Sequence, residues 1–374
     1  MIIHFGLLAS CKNRTPSGLE PKITLILIHR CMKYEAITIK DIAKALGLST
    51  STVSRALRGS YEISAETRKL VLEYAEKLNY RPNPIALSLK EKRSRSIGIV
   101  VCEIANNFFS QVINGIESVA YKKGYYVIIS QSHESFEREV SNTQYLASRS
   151  VDGLLVSLST ETTDLSHLNK LHDRGLPIVF FDRITEEMTT HKVISNNFNG
   201  AYQATEHLIK SGFKRIAHLT ISPYLSITKE RLAGYKAALA DNKLPFDEEL
   251  VKYCKYGGLI AGETETALDE LLALKKKPDA IVAASDKLST GCLAALARRK
   301  VRIPEDMGIV GFTNSLLVDI FHPALTSVRQ PAFEMGQVAM EMLIQLIESK
   351  HPVTKFETRV LNTELSVRAS SVKG

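Results

Sequence analysis

Residues 38–57 read Thr-Ile-Lys-Asp-Ile-Ala-Lys-Ala-Leu-Gly-Leu-Ser-Thr-Ser-Thr-Val-Ser-Arg-Ala-Leu. Thr38 followed three residues later by Asp41 is a capping box, so a helix begins at Ile39 with Ile42, Ala43 and Leu46 as its apolar stripe. Gly47 stops that helix and permits a tight turn. Ser49 then caps a second helix, about Thr50 to Leu57, with Val53, Ala56 and Leu57 inward. Ser64 caps a third, running to about Leu78 with Val71, Leu72, Ala75 and Leu78 inward, and Asn79-Tyr80-Arg81-Pro82 ends it. Helix, glycine turn, helix is the spacing of a helix-turn-helix, whose second helix enters the major groove N-terminus first. Thr50, Ser51, Thr52, Ser54 and Arg55 crowd the exposed face of that helix. Hydroxyls reach bases or phosphates, and an arginine can fork onto guanine O6 and N7.

The segment that follows has a different texture. Pro82-Asn83-Pro84 can open a helix, and Ile85 to Lys92 is compatible with about two turns. So short a helix has little core of its own and is marginal in isolation. With Lys90, Lys92, Arg93 and Arg95 at its end, residues 82–95 read as a linker that folds only when docked.

From residue 97 onward, short apolar strands alternate with amphipathic helices. Strands are expected at 97–101, 126–130, 153–158, 178–181, 193–195, 216–221, 280–284, 309–312 and 325–328. Helices are expected near 108–123, 135–149, 164–174, 199–211, 229–241, 261–275, 287–299 and 333–349. This alternation predicts an α/β body of parallel sheets covered by helices, and its length suits two doubly wound lobes better than one sheet.

Charge divides the chain in the same place. The net +8 is not spread evenly: residues 33–95 hold 13 Lys/Arg against 7 Asp/Glu, whereas residues 96–374 hold 31 against 32. A small basic module on a neutral body implies a polyanionic partner for the module alone. Five scattered cysteines with no C-x-x-C pair point to reduced thiols and a cytoplasmic setting. No apolar run approaches the ~18 residues of a membrane span, so no membrane partner is expected. Residues 1–31 lack the basic start of a signal peptide. Met32 is expected to be the natural start, with residues 1–31 upstream sequence or a disordered leader.

No catalytic set is apparent. There is no G-x-S-x-G, Walker loop or H-E-x-x-H, and Val101-Cys102-Glu103-Ile104-Ala105 offers no glycine-rich phosphate loop after the first strand. No cofactor or metal is expected, and the chain is read as a non-enzyme. A solute-binding receptor of a transport system would share the lobes, but residues 38–95 and the missing signal peptide argue against it.

The motifs Thr38–Ala43, Leu48–Leu57, Tyr80-Arg81-Pro82-Asn83, Ala86 and Leu89 closely resemble the lac repressor/galactose repressor family of transcriptional regulators. The resemblance runs from residue 37 to about 369. It implies a type I periplasmic-binding-protein-like body with a small-molecule effector between the lobes, and double-stranded operator DNA and a second copy of the chain as partners. A homodimer is expected, since no heptad helix follows the last family-like segment. Thr50 and Ser51 match base-reading positions, Ser54 and Arg55 positions that meet bases or backbone, and Ser49 and Asn83 phosphate contacts. Leu89 matches a hinge leucine that wedges into the minor groove, where unstacking one base step kinks the duplex. Leu87 departs from the arginine usual after the hinge alanine, Ala86. Effector contacts are implied at Phe108, Phe109, Ser132, Asp182, Arg183, Asn197, Arg231, Asp286, Thr313, Asn314 and Gln330. Thr313 and Asn196 stand where the family usually has aspartate. A sugar or sugar phosphate is expected, and Arg183 and Arg231 would tolerate an anion. The implied domains are 32–81 for DNA binding, 82–95 for the hinge and 96–370 for sensing. Lobe 1 is expected at 96–194 and 326–350, lobe 2 at 195–325 and 351–370.

Overall fold

The computed structural model describes residues 37–81, 93–260 and 262–373. Two compact units divide near residue 87, and each is treated by itself. The expected leader and start at Met32, and the hinge residues Asn83, Ala86, Leu87 and Leu89, lie outside the described residues.

Among the described residues the head holds three helices, α1 (Ile39–Leu46), α2 (Thr50–Leu57) and α3 (Ala65–Lys77). Thr38 and Asp41 close the expected capping box, the Thr38 amide donating to Asp41 Oδ2 at 2.8 Å. Gly47 takes φ +65°, a left-handed conformation that costs glycine least. Ile42, Ala43, Val53, Ala56, Val71 and Ala75 form the core, with Leu46, Leu57 and Leu78 packed at its edge. Leu72, expected inward, is 42% exposed. It sits one residue past Val71, about 100° round the helix, and so leaves the buried stripe.

The body contains two six-stranded sheets. Lobe 1 has the order β11-β5-β4-β3-β1-β2, with β1 Ser96–Val101, β2 Tyr126–Gln131, β3 Gly153–Val156, β4 Ile178–Phe181, β5 Lys192–Ser195 and β11 Thr358–Leu361. All its pairings are parallel. Lobe 2 repeats the pattern as β12-β10-β9-β8-β6-β7, from β6 Ile216–Thr220, β7 Val251–Tyr253, β8 Ala280–Ala283, β9 Gly308–Phe312, β10 Thr326–Arg329 and β12 Glu364–Ser366. Only β12 runs antiparallel, against β10. Both sheets reverse strand order between their first and third strands, which opens a crevice at the strands' carboxyl ends.

The helices are α4 (Asn107–Lys122), α5 (Phe136–Ser148), α6 (Ser166–His172), α7 (Asn197–Lys210), α8 (Ser226–Asp241), α9 (Glu263–Leu272), α10 (Asp286–Arg298) and α11 (Ala332–Glu348). In lobe 1, α4 and α11 cross so closely that a Cβ on Gly115 would lie 2.0 Å from the Phe333 carbonyl oxygen. A Cβ on Gly336 would lie 2.1 Å from that of Val112.

The lobe boundaries differ from expectation. Strand 326–329 belongs to lobe 2, and residues 358–361 belong to lobe 1 through pairing with β5. The chain therefore crosses between lobes three times, near residues 196, 330 and 362. Strands β7, β11 and β12 were not foreseen because each is three or four residues long and partly charged.

Gly115→Ala should destabilise the body by about 1–3 kcal/mol, because the added methyl meets backbone that cannot rotate away. Urea unfolding reads this, and an unchanged midpoint would contradict the close helix crossing.

Candidate functional site

On the head, Ser49 caps α2 by accepting from the Thr52 amide at 3.0 Å. Its hydroxyl also lies 2.7 Å from Ser51 Oγ and 2.8 Å from Thr52 Oγ1. Thr52 is therefore turned toward the cap, and Ser49, Thr50, Ser51 and Arg55 form the exposed face. Ser54 is half-buried and gripped by Arg58, whose Nε donates to the Ser54 carbonyl at 2.9 Å and Nη2 to its hydroxyl at 3.0 Å. Arg55 Nη1 pairs with Glu62 Oε2 at 3.0 Å. Thr38 spends its hydroxyl on Asp41.

In the body, the strand ends of both lobes converge on an inter-lobe cleft. Arg231, in the second turn of α8, is only 3% exposed. Its Nε donates to Asn197 Oδ1 at 2.9 Å, its Nη1 to the Ala284 carbonyl at 2.7 Å, and the guanidinium lies 4.4 Å from the Phe312 ring centroid. Burial lowers its pKa to about 10, and the negative charge of Asp182 opposes the fall. From lobe 1, Asp182 follows β4 in a left-handed conformation, φ +58°, that only a few per cent of non-glycine residues adopt. Burial raises its pKa, and the charges of Arg231 and Arg183 oppose the rise. Among the described residues no ion pair joins Asp182 to Arg231. Gln330, in a crossover, donates to Asp182 Oδ1 at 3.4 Å and Ser195 Oγ at 3.2 Å.

Arg183 is differently placed. Its Nη1 meets Glu134 Oε2 at 2.6 Å, the Cys102 sulfur at 3.0 Å and the Leu158 carbonyl at 3.3 Å, while its buried Nε has no partner. Glu134 thus neutralises one of the two arginines expected to welcome an anion.

Several contacts join the lobes across this region, including Lys255 Nζ to Glu161 Oε1 at 3.7 Å and the Ile184 amide to Ser226 Oγ at 3.3 Å. Lys287 Nζ meets both oxygens of Glu103, at 2.7 and 2.8 Å. The Tyr256 hydroxyl donates to Glu161 at 3.4 Å. Gln111 and Asn314 exchange two hydrogen bonds, 2.9 and 3.1 Å. A cavity of about 30 Å³ lies between the lobes, lined by Cys102, Phe109, Glu134, Arg183, Tyr256 and Lys287 among others.

The implied effector residues therefore separate. Asp182, Asn197, Arg231 and Gln330 converge, whereas Arg183 lines the small cavity with Glu134. Phe109 lines the cavity, but Phe108 packs into the lobe 1 core, ring to ring with Phe109 at 5.3 Å. The Ser132 hydroxyl is buried without a partner. Asn314 is occupied by Gln111 and Gln330 and acts as an inter-lobe tie. The Thr313 hydroxyl donates to Asp286, so the side chain standing where aspartate was expected fixes a neighbouring carboxylate. Asn196 caps α7 by accepting from the Asn199 amide at 3.2 Å. Glu134, Tyr256 and Lys287 were not foreseen as cleft residues. Tyr256 follows β7, whose three residues carry no readable period.

Comparison with known proteins agrees with this fold. Residues 38–83 match the model of the lacI family of bacterial regulatory proteins, and 205–371 that of a periplasmic binding protein-like domain. The HTH-type transcriptional repressor PurR of Vibrio cholerae serotype O1 is 34% identical over 313 residues, 84% of this chain and 92% of the relative. Its counterpart in Vibrio parahaemolyticus is 33% identical over 324 residues, 86% and 95% of the two chains. Among solved structures, the lac repressor dimer bound to operator and the anti-inducer ONPF superposes with TM-score 0.77 at 25% identity, covering 91% of this chain and all of that one. A complex of the transcriptional regulator CelR with cellobiose gives 0.66 at 31% identity, over 89% and 99%.

A buried histidine near Arg231 sets a pH limit. His218 is fully buried, stacks on Tyr235 at 5.0 Å between centroids, and has no partner for either ring nitrogen. Burial, then the charge of Arg231, lowers its pKa to about 3 from an ordinary 6.5. Between those values the unfolded chain binds the proton and the folded chain does not. Stability therefore falls as pH drops through 6.5 toward 3, by about 1.4 kcal/mol per unit from this group. His218→Leu should flatten that part of the pH–stability curve, and parallel curves for the two proteins would contradict the assignment.

Proposed function

This chain belongs to the lacI family of bacterial regulatory proteins, and we propose that a neutral ligand of the sugar class, bridging Asp182 and Arg231, controls its grip on operator DNA. It is a DNA-binding transcriptional repressor with a ligand-binding body, and neither an enzyme nor a transport receptor.

The ligand reading is carried by one observation. Two desolvated opposite charges face the same cleft from different lobes and form no ion pair with each other. A molecule offering adjacent donors and acceptors suits them: a hydroxyl donates to Asp182 while another accepts from Arg231. The pairing of Arg183 with Glu134 favours a neutral sugar over its phosphate. Cellobiose in the CelR neighbour and ribose in a LacI family regulator of Enterococcus faecium are consistent with this class.

On the head, we assign base contacts to Thr50, Ser51, Ser54 and Arg55. Ser49 and Thr38 stand at helix N-termini, where backbone N–H groups attract phosphate. Asn83, Ala86 and Leu89 keep the hinge role that the resemblance implies. A homodimer acting in the cytoplasm completes the reading, in line with the dimeric lac repressor neighbour. Ligand that touches both lobes favours one closure, and operator affinity follows that equilibrium.

A thermal-shift screen of sugars against sugar phosphates tests the ligand. A neutral sugar at 100 times its Kd should stabilise the chain by about 2.7 kcal/mol, and Arg231→Ala should abolish the shift. Stabilisation by phosphorylated sugars alone would overturn the assignment. Arg55→Ala should cost about 1–3 kcal/mol on a selected palindromic duplex and relax preference at one base. Equal loss on random DNA would make Arg55 a phosphate contact.

A further inference from the structure

We propose that Glu62 is a positioning residue for Arg55, holding its guanidinium for a base edge and away from the phosphates; this rests on the reading of Arg55 as a base contact. Arg55 lies in the last turn of α2 and Glu62 in the turn that leads to α3. Seven residues apart, they meet through tertiary geometry, Nη1 to Oε2 at 3.0 Å.

The turn that carries Glu62 is itself fixed. Gly59 N donates to the Ala56 carbonyl and Ser60 N to that of Arg55, both at 3.1 Å, and Ile63 N donates to that of Ser60 at 3.3 Å. Ile63 packs against the head core. The carboxylate therefore stands on an anchored turn, and it restrains an arginine that would otherwise sample many rotamers.

Stability is a poor explanation for the pair. The two side chains are 53% and 47% exposed, and ion pairs that open to water contribute little. A carboxylate on the face that meets a polyanion also opposes binding in general. Its effect is selective, however. Phosphates carry full negative charge and are repelled by Glu62, whereas guanine O6 and N7 are neutral acceptors. With one of five N–H donors given to Glu62, Arg55 keeps enough for a bidentate base contact. A carboxylate-paired arginine thus discriminates between base edge and backbone. Arg58, tied to Ser54 on the same helix, leaves the reading face with its other long cation restrained as well.

The test uses the full chain, a palindromic duplex selected from random sequence by the unmodified protein, and a random duplex, over a salt series. Glu62→Ala should bind the random duplex about 3–10-fold tighter, with a salt slope steeper by about one as Arg55 gains a phosphate. Its preference for the base read by Arg55 should fall by about tenfold, and Glu62→Gln should restore part of that preference. In an Arg55→Ala background, Glu62→Ala should no longer alter base preference. If Glu62→Ala tightens both duplexes equally, Glu62 is only a repelling charge and the proposal fails. Unchanged base preference in Arg55→Ala would instead show that Arg55 is not the reader, a separate failure that removes the basis of the proposal too.

Discussion

A guanidinium buried to 3% exposure needs compensation, because the desolvation of one ion costs several kcal/mol in a protein interior. Arg231 obtains it from a side-chain amide, a strand-end carbonyl and an aromatic face, none of which carries charge. Asp182 is similarly buried, with an amide of Gln330 as its nearest donor. Each group would be better stabilised by a direct ionic partner, and the fold holds them on different lobes. That separation follows from topology. Asp182 rides on the end of β4 and Arg231 on the helix after β6, and both sheets present their carboxyl ends to the same cleft. On the proposed reading, one bridging molecule would satisfy both at once.

Closure of that cleft is an equilibrium between few contacts. Glu103–Lys287 ties the loop after β1 to the first turn of α10, Glu161–Tyr256 joins loop to loop, and Gln111–Asn314 ties α4 to the loop after β9. Three chain crossings near residues 196, 330 and 362 link the lobes. A ligand changes the balance only by interacting differently with the open and closed forms. The proposed bridging sugar would meet that condition, because Asp182 and Arg231 belong to different lobes.

Much of this was readable in the sequence. Capping residues placed α1 and α2, and the alternation of apolar strands with amphipathic helices placed nearly every element of the body. Short strands escaped: Val251–Tyr253, Thr358–Leu361 and Glu364–Ser366 have too few residues to express a period, and which sheet a terminal strand joins depends on long-range pairing. For the same reason 326–329 was assigned to the wrong lobe. At the cleft, the family resemblance marked Arg231 and Asp182 but not how neighbours use them. Asn314 is consumed by Gln111, 203 residues away, and Arg183 by Glu134, 49 residues away. Thr313 became a clamp on Asp286 through a contact that spacing could not reveal. Glu62 was hidden because its importance lies in a pairing across a turn.

The account turns on coupling between the cleft and the head, and coupling is reciprocal by thermodynamic necessity. The most direct measurement is the affinity of the full chain for a sugar that binds it, taken with and without saturating selected operator duplex. The sugar Kd should change by about 5–150-fold when operator is bound, and operator affinity should change by the same factor when the sugar is bound. A sugar Kd that is identical in the two states would contradict the central claim, however tightly each ligand binds alone.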